Sequence, residues 1–180
     1  MRIRLHRSLA CIALLACRQE SQRSNAITSQ KISSAPAPAD PVQLVREYVN
    51  RDARGERLKS NPWFMNVVAW PEEPGYDTYT IITAFEVKPL HTDSSTARVE
   101  VTYRRAGFLE TVGRSTAKFV RNAAAEERVF TVALTDNGWR ITAPQMDQHV
   151  LASAVPDWTP LTESDRGTLK TLAAGERGAQ

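Results

Sequence analysis

The chain has 180 residues and a formal net charge of +3, from 23 basic and 20 acidic side chains. Residues 1–16 hold three arginines and no acid, so the remainder balances at 20 against 20, with no clustered Lys/Arg stripe. A neutral body of this kind argues against a nucleic-acid partner and against an electrostatic grip on anionic lipid.

Arg2, Arg4 and Arg7 lead into the apolar run Leu9-Ala10-Cys11-Ile12-Ala13-Leu14-Leu15-Ala16, closed by Cys17. A basic start followed by a short apolar run is the pattern of an export signal. The run falls well below the roughly 20 residues that a membrane-spanning helix needs. Its end, Leu14-Leu15-Ala16-Cys17, resembles the lipobox of bacterial lipoproteins, in which a small residue precedes a cysteine that takes a diacylglycerol and becomes the new N-terminus. The resemblance implies a signal peptide over residues 1–16, lipid attachment at Cys17, and anchoring in the bacterial cell envelope. Arg18 after the cysteine implies, by likeness to enterobacterial sorting, the outer membrane. The competing reading is a secreted protein with Cys17 an incidental thiol. In the lipoprotein reading both cysteines are accounted for, and the mature chain relies on its core without a disulfide.

Residues 17–39 are the lipid anchor and a tether rich in Ser, Gln, Asn, Ala and Pro, ending in Ser33-Ser34-Ala35-Pro36-Ala37-Pro38-Ala39. Such a composition buries too little apolar surface to offset its ordering entropy, so a disordered linker is expected. A single domain is expected over residues 40–172, with residues 173–180 as a disordered tail.

Asp40-Pro41 reads as an N-cap followed by proline at the first helical position, with Gln43 placed to complete a capping box. Val42, Val45, Tyr48 and Val49 then share a helical face, while Arg46, Glu47, Arg51, Asp52 and Arg54 are assigned largely elsewhere. Gly55 ends the helix. Trp63, Phe64, Val67, Val68 and Trp70 form an apolar cluster closed by Pro71 and Pro74-Gly75. Residues 77–88 read as a strand with Tyr79, Ile81, Thr83, Phe85 and Val87 on one face. After a polar turn at Asp93-Ser94-Ser95, Val99, Val101 and Tyr103 alternate with Arg98, Glu100, Thr102 and Arg104 as the clearest strand. Residues 117–121 are another strand candidate. Residues 129–135 and 139–142 are strands joined by Asp136-Asn137-Gly138, where Asn-Gly supplies the positive φ of a tight hairpin. Pro144 ends the sheet, and a short helix starts at Thr162, with Leu169 and Leu172 on one side.

Helices followed by a strand meander predict an α+β domain, with N-terminal helices packed on a curved antiparallel sheet. The helix Pro41-Val42-Gln43-Leu44-Val45-Arg46-Glu47-Tyr48-Val49 and the hairpin Phe130-Thr131-Val132-Ala133-Leu134-Thr135-Asp136-Asn137-Gly138-Trp139-Arg140-Ile141 together resemble the nuclear transport factor 2-like (NTF2-like, SnoaL-like) superfamily. The resemblance covers about residues 40–150 and implies a cone-shaped sheet; a cystatin-like fold is the alternative.

No GxGxxG, P-loop, HExxH, CxxC or GxSxG motif occurs, so no cofactor and no metal are expected. A metal site would have to bring His91 and His149 together. Asp147-Gln148-His149 is the one close acid and base pair, where an Asp can orient an imidazole; the competing reading is a polar loop after the last strand. Enzymes of the resembled superfamily place an Asp, His or Tyr inside the cone. The inward face of the clearest strand carries no acid, and no catalytic residue is assigned. The candidate pocket residues are Tyr48, Trp70, Tyr79, Tyr103, Asp147 and His149. Trp63, Phe64, Trp70, Tyr76 and Tyr79 suit either a ligand-binding rim or a hydrophobic plug, Trp139 a core position, and Trp158 a pin for the C-terminal tail.

The expected function is that of a membrane-anchored, non-enzymatic envelope protein that binds a small apolar ligand or an envelope protein. Two alternatives stand beside it: a metal-independent isomerase, dehydratase or hydrolase with a buried acid-base residue, and a structural accessory subunit.

Overall fold

The computed structural model describes residues 39–73, 75, 77–112, 116–157 and 159–176. The signal peptide, Cys17, the tether up to Pro38, Tyr76 and Trp158 lie outside the described residues. Among those described, no helix is long and apolar enough to cross a membrane.

The first helix, α1, spans Pro41–Ala53. It starts where expected: the Asp40 carboxylate accepts the Gln43 backbone N–H at 2.8 Å, and Pro41 fills the first turn. It stops before Gly55, whose φ of +70° breaks the helical repeat. Leu44, Val45, Tyr48 and Val49 form its buried face. Asp52 joins them at 2% exposure, which corrects its expected place among the outward polar residues. The reason is helical geometry, since a residue four after Tyr48 and three after Val49 shares their side.

Two single 3-10 turns follow, Arg57–Lys59 and Phe64–Asn66. Trp63, Phe64, Val67 and Val68 are buried, so of the two readings left open for these aromatics the plug describes Trp63 and Phe64. Trp70 and Trp139 are half-buried against the same core, Trp139 less deeply than a core position implies.

The sheet contains β1 (Thr78–Thr92), β2 (Thr96–Val112), β3 (Thr116–Thr135), β4 (Gly138–Ala143) and β5 (His149–Leu151), in the order β4-β3-β2-β1-β5. Neighbouring pairs are antiparallel except β5, which runs parallel to β1 through Thr80, Ile81 and Ile82. The sheet is therefore mixed and curled, not wholly antiparallel as expected. Asp136-Asn137 joins β3 to β4, and it is Gly138 alone that takes the positive φ, +89°.

The two segments expected at 117–121 and 129–135 are one strand, β3. The intervening Asn122-Ala123-Ala124-Ala125-Glu126-Glu127-Arg128 has little strand propensity, but pairing with β2 from Ala124 onward and at Arg121, across an irregularity at Asn122 and Ala123, overrides it. β1 also departs from simple alternation. Irregularities at Ile81, Ile82 and Ala84 switch the inward side, so Ile81 and Ile82 are both fully buried, in different clusters. The larger cluster gathers α1, Phe64, Val99, Val101, Tyr103, Phe130, Val132 and Ile141. The smaller joins Ile81, Leu109 and Phe119 to Leu169 of the second helix, α2 (Glu163–Ala174). Thr162 caps α2 as expected, accepting from the Asp165 N–H at 3.1 Å. Residues expected in a loose tail are held: Ala173 and Ala174 complete α2, and the Glu176 carboxylate accepts from the N–H and hydroxyl of Ser153.

Candidate functional site: a buried charge cluster beside an outer cleft

The inner face of the sheet carries ionisable groups as well as apolar ones. Asp52 comes from α1, Arg57 from the turn after it, Tyr103 from β2, Glu126 from β3 and His149 from β5. All five are nearly inaccessible, at 2%, 7%, 1%, 7% and 1% exposure respectively.

Asp52 links the helix to the sheet edge. Its Oδ2 accepts from Arg57 Nη1 at 3.3 Å and from the His149 backbone N–H at 3.0 Å. Arg57 Nη2 donates to Glu73 Oε2 at 3.0 Å and to the Met146 carbonyl at 2.9 Å. Burial pushes the Asp52 carboxyl above its usual pKa, and the Arg57 guanidinium and the His149 N–H only partly oppose that. Its Oδ1 is buried without a hydrogen-bond partner among the described residues.

His149 stacks on Tyr103 with ring centroids 4.2 Å apart and planes 31° from parallel. Nδ1 lies 3.1 Å from the Asp147 carbonyl and Nε2 lies 3.1 Å from Glu126 Oε1. The Asp147 carbonyl can only accept, so its contact casts Nδ1 as the donor, while Nε2 faces the Glu126 side chain. Arg105 and Arg128 add contacts to Glu126 at 2.7 and 2.6 Å. The His149 hydrogen bond, with support from Arg128 and Arg105, lowers the Glu126 pKa to about 2 against the opposing effect of burial. Burial raises the Tyr103 hydroxyl well above its ordinary value.

Of the six expected pocket residues, three meet here: Tyr48, Tyr103 and His149. The Arg57 guanidinium lies 5.7 Å from the centre of the Tyr48 ring. His149 is not in a polar loop but in β5, fully packed, which corrects that reading. Asp147 offers it a backbone carbonyl, while its carboxylate accepts from the Thr80 hydroxyl. The acid at the imidazole is Glu126. Trp70 donates from Nε1 to Glu73 at 3.3 Å, beside Arg57, and Tyr79 packs apart, against the smaller core cluster. His91 is exposed near Asp93, at the other end of β1 from the strand's pairing with His149, so the two histidines do not converge. No group of three or more His, Cys, Asp or Glu able to hold a metal occurs among the described residues.

Sequence reasoning missed Asp52, Arg57 and Glu126. The first was detectable from its helical spacing to Tyr48; Glu126 lies opposite Tyr103 only once the register of β3 on β2 is known.

None of the six lines the two clefts found on the outside of the domain. One, of about 290 Å³, lies between the Ala152–Ala154 turn and α2, with Leu161, Arg166, Leu169 and Lys170 in its walls. The other, of about 190 Å³, is bounded by Arg57, Pro62, Phe64, Met65, Glu73 and Gln148. It adjoins the charge cluster through Arg57. No protein family, curated protein or solved structure matches the chain.

Proposed function

We propose that the chain is a lipid-anchored protein of the bacterial envelope, probed and held through Cys17, whose domain binds a small apolar molecule or an envelope protein and performs no chemistry on it. The domain is read as a nuclear transport factor 2-like cone whose interior serves stability. One observation carries the reading: the acids and bases on the inner face are committed to one another. Glu126 is taken by His149, Arg105 and Arg128, and Asp52 through Oδ2 by Arg57 and the His149 backbone, with Oδ1 shut off from solvent. A proton-transfer catalyst needs such groups to face a substrate; here Leu44, Val45, Tyr48 and Phe64 are packed within the same buried cluster as Tyr103. Binding then belongs to the outer surface, where the clefts are.

The test compares the wild-type chain with Asp52→Asn and Glu126→Gln. The binding reading expects Glu126→Gln to melt earlier and, below their melting points, both variants to retain whatever small molecule or partner the wild-type chain carries when extracted from its envelope. Loss of a turnover activity in both variants, with occupancy unchanged, is the result that favours the enzyme.

A further inference from the structure

We infer that the cleft of about 190 Å³ between the 3-10 turns and β5 is a binding site for a small neutral molecule with an apolar body and one N–H or O–H donor. The inference rests on the binding reading above and names the site and the ligand class.

Three features of the cleft converge. Its apolar side is Pro62, Phe64 and Met65, and Met65 is one of the few large hydrophobic side chains left exposed, at 38%. A single exposed methionine is unremarkable by itself, but this one forms part of a concave wall. Gln148 also lines the cleft; its backbone carbonyl is engaged by the Thr80 N–H and its side-chain Oε1 is buried with no donor among the described residues. A buried amide oxygen without a partner costs free energy until a donor reaches it. That oxygen is shut off from solvent as it stands, so an occupant reaches it only after rotation about the soft last torsion of the glutamine side chain. Ser60, the third, lines the cleft as the C-terminal cap of the Arg57–Lys59 turn, its left-handed φ of 52° closing that turn with a backbone hydrogen bond to the Arg57 carbonyl.

The same walls fix the ligand's charge. Arg57 and Glu73 both line the cleft and are bound to each other at 3.0 Å, so a cation meets Arg57 and an anion meets Glu73. Arg57 is also committed to Asp52 and Met146. Asn61 gives its amide hydrogen to Glu56 and accepts from the Trp63 N–H. The open polar request is for a donor at Gln148, and the volume suits a body of about ten non-hydrogen atoms.

Indole, N-methylindole and benzofuran separate the terms, because they share a shape and differ in the donor. The chain has three methionines, of which Met65 lines the cleft. Titration of the full chain carrying 13C-methyl methionine should therefore move the Met65 resonance, identified by Met65→Leu. The expected result is saturable binding of indole, with N-methylindole and benzofuran roughly tenfold weaker, a factor typical of one unsatisfied buried acceptor. Gln148→Leu should abolish the difference among the three, and the unmoved Met146 resonance reports that this variant is folded. Absence of a saturable Met65 shift up to the solubility of indole, equal affinities in the wild-type chain, or a difference that survives in Gln148→Leu overturns the proposal. A chain that carries another ligand from its envelope while Met65 stays still overturns this site and leaves the binding reading standing.

Discussion

Glu126 and His149 meet at 3.1 Å although β1 and β2 lie between the strands that carry them. In a flat sheet their strands would stand three spacings apart, about 14 Å. The contact therefore exists only because the sheet curls over Tyr103, and its electrostatics report on the curl.

The pH dependence of stability should reveal the pair. The Glu126 pKa is depressed to about 2 in the folded chain, from 4.5. A depressed acid stabilises fully above its unfolded pKa and loses that contribution as pH falls through the folded value. The melting temperature is expected to fall between pH 4.5 and about 2, with a smaller fall in Glu126→Gln. Asp52 acts with the opposite sign, because its pKa is raised: its unfavourable charging is absent below 3.8 and sets in as pH rises through the folded value. Melting curves from about pH 2 up to neutrality on the wild-type chain, Glu126→Gln and Asp52→Asn check both signs; identical profiles for all three would refute the assignment.

Asp52→Ala removes the acceptor of two donors at once, the Arg57 guanidinium and the His149 backbone N–H. Breaking a buried pair by removing one partner costs about 3–5 kcal/mol. Since Arg57 keeps Glu73 and the Met146 carbonyl, the lower part of that range is expected, and Asp52→Asn should cost less than Asp52→Ala. Equilibrium denaturation in urea gives the comparison; a loss below about 0.5 kcal/mol, the range of ordinary surface substitutions, would contradict it.

Gly107→Ala should disturb the β2–β3 ladder. A Cβ there would sit 2.2 Å from the Val120 carbonyl oxygen and 2.9 Å from the Phe119 ring. Backbone must shift to admit it, at a cost of about 1–3 kcal/mol. Amide hydrogen exchange is expected to rise along Phe108, Leu109, Phe119 and Val120 before it rises in α1.

Cys17→Ala tests the anchor. In the envelope of a lipoprotein-processing bacterium the wild-type chain is expected in the membrane fraction, with a mass increased by a diacylglyceryl group on residue 17. The variant should lose that mass increment and leave the membrane fraction. A wild-type chain that is soluble and unacylated would remove the lipoprotein reading.

How much of this was legible in the sequence varies by the distance over which each cue acts. Local cues held: Asp40 and Thr162 cap helices where expected, Gly55 ends α1, and Val99, Val101 and Tyr103 face inward. What sequence spacing could not carry was register. Residues 124–128 become strand through their pairing with β2, and the irregularities of β1 bury two successive isoleucines. The candidate site suffered most, because it is assembled from five elements far apart in the chain. Sequence spacing pairs His149 with Asp147, its neighbour by two residues, yet its acid is Glu126, 23 residues away. Only tertiary structure could make that exchange.

The link between β4 and β5 has a mechanical consequence. These are the two outermost strands, and residues 144–148 carry the chain from one to the other. Laid flat, five strands put their outer members about 19 Å apart, close to the roughly 20 Å that six fully extended residue steps can span. The link is not free to run straight, since the Met146 carbonyl is tied to Arg57 midway. It behaves as the string of a bow: its length limits how far the sheet can open, and residues added to it would slacken the arc before any rung of the ladder is broken.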